Sequence, residues 1–228
     1  MPKSNIELLK EVAKRLGPLL QEVVFVGGCA TALLMTDAAG AEVRSTLDVD
    51  VIAEIASYAD YAAFSERLRS LGFQEDTSKG APICRWLFDD LILDVMPVEE
   101  KVFGFANRWY RGAMESANTI ELEPGLQIRL VNAAYFVATK LEAFKGRGRS
   151  DYAGSHDLED LLTVIDGRPA IVAEVAAAEE VRSYIAQEFR ELLAIPQFID
   201  ALPGYLLPDA ASQARLPILA GRITEVSK

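Results

Sequence analysis

Residues 24–52 read "VFVGGCATALLMTDAAGAEVRSTLDVDVI". A β-branched run ends at Gly27-Gly28, and a second apolar run, Thr46–Ile52, carries Asp48 and Asp50 inside it. Side chains alternate faces along a strand, so residues two apart point the same way. Asp48 and Asp50 therefore share a face, while Val49 and Val51 turn to the other, towards the core. Two adjacent carboxylates repel, and burying either without a partner is costly. A divalent cation between them removes both problems. A third acid, Asp94, stands in a similar run, "LILDVMP", between Leu93 and Val95. On a neighbouring strand it would bring a third set of oxygen ligands, the kind that Mg²⁺ or Mn²⁺ prefers. Such a trio suits a two-metal phosphoryl-transfer centre. The competing reading makes Asp48 a strand-end cap and pairs Asp50 and Asp94 with Arg44 or Arg85.

Gly27 and Gly28 fall where a strand turns into a helix. Glycines there let the backbone approach a ligand, and the helix start adds free N–H groups and a positive dipole end. That is a cradle for phosphate. Arg44, Ser45 and Thr46 precede the acidic strand and offer donors to phosphate oxygens.

Outward from this stretch, the first 130 residues mix helices with strands. Ser4–Leu20 reads as a helix with a Ser4/Glu7 capping box, apolar positions at Ile6, Leu9, Val12, Ala13 and Leu16, and an end or kink at Pro18. Strands are expected at Glu22–Val26, Thr46–Ile52, Pro82–Phe88, Leu91–Val95, Asn118–Glu121 and Leu126–Leu130. Helices are expected at Cys29–Met35 and Tyr58–Leu71, and Asp89-Asp90 reads as a hairpin turn. Beyond Val131 the spacing is helical throughout, apart from the basic loop "GRGRS" (146–150) with Arg147 and Arg149. Strands and helices followed by helices alone indicate an α+β protein.

The 228 residues are half apolar, with a net charge of −11, two cysteines and one histidine. The charge argues against a broad basic surface for nonspecific nucleic-acid binding. Cys29, Cys84 and His156 are too few and too dispersed for a Cys/His metal site or a Ser-His-Asp or Cys-His enzyme. His156 reads as capping, or hydrogen-bonding in, the helix start "GSHDLEDLL". Trp109, Tyr110 and Arg111 are candidates for base stacking or for core packing. No apolar run reaches membrane-span length, and the charged N-terminus lacks a signal-peptide core, so the expectation is a cytoplasmic chain with no membrane partner.

"GG…RSTLDVDV…LILDVMP" resembles the nucleotidyltransferase fold of the DNA polymerase β-like superfamily. Within it, the Arg-x-Thr-x-Asp-x-Asp run formed by Arg44, Thr46, Asp48 and Asp50 is similar to the abortive-infection toxin branch called AbiEii/AbiGii. "KLEAFKGRGRSDYAGSHDLEDLL" (140–162) resembles that branch's Lys-x-x-Ala…Arg…Asp-x-x-Asp segment, at Lys140, Arg147, Asp157 and Asp160. The resemblance implies a small mixed sheet flanked by helices over residues 1–130, and a helical region, 131–228, completing the active-site cleft. It implies Mg²⁺- or Mn²⁺-dependent transfer of a nucleotide from a nucleoside triphosphate to an acceptor hydroxyl. In some members the acceptor is the tRNA 3′ end, and the enzyme is a toxin paired with an antitoxin protein. The implied metal ligands are Asp48, Asp50 and Asp94, catalytic together with Lys140. The implied nucleotide-binding residues are Gly27, Gly28, Arg44, Ser45, Thr46 and Asp157. Two alternatives are a nucleotide-binding regulatory module without turnover and a metal-dependent nuclease or phosphodiesterase.

Overall fold

The computed structural model describes residues 3–40, 43–148 and 150–228; Arg149 of the basic loop lies outside them. The chain forms two compact units. One holds residues up to Ala30 together with Ser45–Asn132; the other holds Thr31–Arg44 and Ala133–Lys228. The segment 31–44 thus groups with the helical unit, although chain order alone places it with the sheet.

The first unit opens with α1 (Asn5–Leu16), whose Ser4/Glu7 capping box is formed in both directions. Its buried stripe is Leu8, Leu9, Val12, Ala13 and Leu16, whereas Ile6 is exposed. Pro18 does end the helix: the chain tightens into a 3₁₀ segment, Gly17–Glu22, with proline in its first turn. There follow β1 (Val23–Val26), α2 (Gly27–Leu34), which runs on into the second unit, and β2 (Asp48–Ala53). Next come α3 (Tyr58–Ser70), β3 (Gln74–Glu75), β4 (Arg85–Phe88) and β5 (Leu91–Pro97). The short helices α4 (Glu100–Phe103) and α5 (Tyr110–Glu115) lead to β6 (Asn118–Glu123) and β7 (Leu126–Leu130).

The protein is α+β, built around a seven-stranded mixed sheet in the order β3-β4-β5-β2-β1-β7-β6. The β1/β2, β3/β4, β4/β5 and β6/β7 pairs are antiparallel; β2/β5 and β1/β7 are parallel. The two-residue link between β4 and β5 is Asp89-Asp90, with Asp89 at φ 51°, a left-handed conformation that aspartate tolerates better than most residues. Val49 and Val51 are buried, as the period of two requires.

The second unit is helical: α6 (Ala133–Arg147), α7 (His156–Gly167), α8 (Ile171–Ala177), α9 (Glu179–Leu193), α10 (Pro196–Ala201), α11 (Ala210–Gln213) and α12 (Leu216–Val226). Ser155, not His156, caps α7, its hydroxyl accepting from the Leu158 N–H. The segment 31–44 is fastened to the end of α7. Thr36 and Asp37 both donate backbone N–H groups to the Gly167 carbonyl (3.0 and 2.9 Å). Arg168 donates to the Leu34 carbonyl at 2.7 Å. Arg215 joins Asp37 (2.9 Å) to the fully buried Asp166 (2.8 Å). Among the described residues no helix is long and apolar enough to cross a membrane.

Candidate active site

In the first unit, register brings the three acids to one face of the sheet. β2 and β5 run parallel with Asp50 directly opposite Asp94, and Asp48 opposite Ile92. Neighbouring strands lie about 4.8 Å apart and a residue two along returns to the same face, so all three carboxylates stand together. Asp94 is buried, while Asp48 and Asp50 are partly open.

Arg85 is the cross-strand partner of Asp94 on the other side, in antiparallel register, and so shares the face. Its Nε donates to Asp94 Oδ1 at 2.9 Å and its Nη2 to Asp94 Oδ2 at 2.7 Å. The same Nη2 reaches Asp48 Oδ2 at 3.0 Å. One guanidinium thus bridges two of the three carboxylates, bidentate on the buried one. Its hydrogen bonds to Asp94 hold the Arg85 pKa well above its ordinary value. The pairing of Asp94 with Arg85 is the competing reading of the sequence, and it is present alongside the convergence of the acids.

The neighbouring groups fix the remaining geometry. The buried Thr46 hydroxyl donates to Asp48 Oδ1 at 2.6 Å, so Thr46 acts on Asp48 rather than standing free for a ligand. The Thr46 N–H in turn donates to the side-chain carbonyl of Asn5 (3.2 Å), and the Asn5 backbone carbonyl accepts from the Cys29 thiol (3.4 Å). Asn5 is buried at the first turn of α1 and ties the loop before β2 to the helix after β1. A lone asparagine among apolar helix positions gives no sequence signal for that task. Gly27 has φ +70°, and a Cβ built on it would lie 1.9 Å from Asp50 Oδ2. The Asp50 carboxylate thus rests against the glycine's Cα, which explains why this position lacks a side chain. Cys84, next to Arg85, is buried, and burial followed by the charge of Asp94 pushes its thiol up to about 12. It stays protonated and is not a nucleophile.

The donor chemistry fits a hard divalent cation: three carboxylates on one sheet face. As they stand, Asp94 and Asp48 serve Arg85 instead. Among the described residues no group of three or more His, Cys, Asp or Glu side chains is arranged to hold a metal ion. Both oxygens of Asp94 are committed to the guanidinium.

Lys140, Asp157 and Arg44 belong to the second unit, where they meet one another. The buried Lys140 donates to Asp160 Oδ2 at 2.6 Å and to Asp157 Oδ1 at 3.3 Å. Arg147 binds Asp157 in bidentate fashion, both contacts 2.8 Å. Arg44 lies 3.3 Å from Asp160 and 3.5 Å from Glu159. Burial alone raises the Asp157 carboxyl, but the Arg147 hydrogen bonds and the Lys140 charge outweigh it and leave the pKa below its ordinary value. Asp160 is 1% exposed and holds two cations at once, so it is the hub of this network rather than an accessory. His156 pairs with Glu159 at 3.1 Å on the exposed start of α7. Of the other candidates, Arg111 makes an ion pair with Glu99 (2.5 Å) and Trp109 lies under the Arg108 guanidinium at 4.7 Å.

No protein-family model and no curated protein sequence matches the chain. Among solved structures it is similar to an antigenic nucleotidyltransferase-like protein from Paracoccidioides brasiliensis, with 18% identity and a TM-score of 0.45 over 71% of this chain and 75% of that one.

Proposed function

We propose that this chain is a metal-dependent nucleotidyltransferase of the DNA polymerase β-like kind, transferring a nucleotide from a nucleoside triphosphate to an acceptor hydroxyl. One observation carries the reading: the register that sets Asp50 opposite Asp94 with Asp48 on the same face. Asp48, Asp50 and Asp94 would hold Mg²⁺ or Mn²⁺. When bound, the cation withdraws charge from phosphate oxygens and makes an acceptor hydroxyl easier to deprotonate. The residues of this chain do the rest. Thr46 fixes the orientation of Asp48 and Gly27 seats Asp50, and Gly28 and Ser45, their neighbours in sequence, would offer backbone and hydroxyl donors to the nucleotide. Asp94 accepts the proton of the attacking hydroxyl. Lys140, Asp157 and Arg44 enter the proposal through the resemblance of their segments, Lys140 as a catalytic cation and the other two at the nucleotide. An RNA 3′ end, tRNA above all, is the acceptor that the AbiEii-like segments suggest, and an antitoxin protein is the partner.

The Arg85 bridge favours a second reading, a nucleotide-binding regulatory module in which the guanidinium has taken the cation's place for good. One assay separates the two. The full chain is incubated with α-³²P-labelled nucleoside triphosphates, Mg²⁺ and total RNA. Labelled RNA that disappears in the Asp50→Asn variant supports transfer. Nucleotide binding without a labelled product supports the module, and shortened RNA without added label supports a nuclease.

A further inference from the structure

Arg85 lies where a cation serving Asp48 and Asp94 would need their oxygens. Three observations fix it there: the Asp94/Arg85 pairing between antiparallel strands, the bidentate contact at 2.9 and 2.7 Å, and the third contact to Asp48 at 3.0 Å. We propose that Arg85 is a built-in counter-cation, which neutralises the carboxylate face while no metal is bound and must swing away from Asp94 before a divalent ion is held there. This rests on the nucleotidyltransferase reading of the same acids.

The physical case is one of exclusion. A guanidinium bidentate on a carboxylate takes the side from which a cation would chelate both oxygens at about 2.1 Å, and its positive charge on the same oxygens repels a divalent ion. Both Asp94 oxygens are in that position, and so is one oxygen of Asp48; the other accepts from Thr46. With Arg85 on both Asp94 oxygens, a divalent ion there is opposed by position and by charge, and moving the guanidinium off Asp94 removes both obstacles. Like charges make the reverse hold as well. Without Arg85, three carboxylates on one face would repel one another. The Arg85 side chain is 22% exposed at the start of β4, so a rotamer turned towards solvent is the route by which it would leave. The consequence is a threshold. Apparent metal affinity is lowered by the fraction of time that Arg85 vacates the site, as for any ligand whose binding-competent state is a minority.

The test is titration of the full chain with Mn²⁺ alone, followed by electron paramagnetic resonance of free Mn²⁺ and by thermal unfolding. Arg85→Gln is expected to bind Mn²⁺ about tenfold or more tightly than the wild type. Its melting temperature should be lower without metal and rise further when Mn²⁺ is added. Arg85→Lys, which keeps the charge but loses the fork, should fall between the two; it also serves if the glutamine variant does not fold. Equal or weaker Mn²⁺ binding by both variants, with binding still lost in Asp50→Asn, overturns the role of Arg85 while leaving the metal-site reading standing. No Mn²⁺ binding by the wild type or by either variant overturns both.

Discussion

Replacing Gly27 with alanine inserts a methyl group where the structure has Asp50. The position has φ +70°, so any side chain there pays for a left-handed backbone, about 1–2 kcal/mol. The new Cβ would also lie 1.9 Å from Asp50 Oδ2, 2.6 Å from its Cγ and 2.8 Å from its Cβ. Moving the carboxylate aside relieves the first two contacts but not the third, which involves a Cβ fixed to β2. Forced repacking of this kind adds about 1–3 kcal/mol, for a total of about 2–5 kcal/mol. Gly125 provides the control, since it has φ +81° and a methyl group added there would meet nothing within 4 Å. Gly125→Ala should therefore show the backbone part alone. Urea denaturation of both variants gives the comparison, and Gly27→Ala in an Asp50→Ala background should be milder, because the two closest contacts are gone. Equal destabilisation by Gly27→Ala and Gly125→Ala would refute the packing of Asp50 against the glycine, and with it the account of why a glycine stands there.

Three other outcomes are expected. Asp160→Ala takes from the buried Lys140 its 2.6 Å partner, leaving the longer 3.3 Å contact to Asp157, and removes one of the carboxylates beside Arg44; it should destabilise the protein by up to about 3–5 kcal/mol in urea denaturation, whereas Arg147→Ala, whose side chain is 72% exposed, should cost well under half of that. The Asp157 carboxyl has a lowered pKa in the folded state, so its contribution to stability is present above the unfolded value of about 3.9 and is lost as pH falls from there through the folded pKa; acid titration of wild type against Asp157→Asn should show a shallower fall in the variant, and parallel curves would count against the network. Asp48→Asn combined with Asp50→Asn should abolish labelled transfer yet change stability by less than about 1 kcal/mol, because Arg85 keeps its bidentate hold on Asp94 and repulsion between carboxylates is removed; circular-dichroism melts check the second half, and a large loss would point to a purely structural role for the pair.

The sequence is most informative where local rules decide the outcome. The period of two puts Asp48 and Asp50 on one face, the Asp89-Asp90 pair closes its hairpin, and β7 spans the expected Leu126–Leu130. Helix spacing in α1 misleads at its start: Leu8 is buried and Ile6 is not, because the buried stripe is set by what lies beneath the helix rather than by hydrophobicity alone. The two-residue β3 carries too little pattern to be noticed. Pairs brought together only by the tertiary fold are also invisible. Arg215 and Asp37 are 178 residues apart, and nothing in either neighbourhood announces the contact. Arg85 is a foreseeable alternative partner for the acids, but only cross-strand register shows that it holds Asp94 with both oxygens engaged.

The excursion of residues 31–44 has a practical result for anyone who wants the helical half by itself. Separating the units means severing the backbone at three places, after Ala30, Arg44 and Asn132, rather than at one. A fragment beginning at Ala133 would leave the Gly167 carbonyl without its two donors, Arg168 without the Leu34 carbonyl, and Arg215 without Asp37. Supplying 31–44 as a separate peptide, or joining it by a linker to the N-terminus of α6, is the route to an autonomous helical piece.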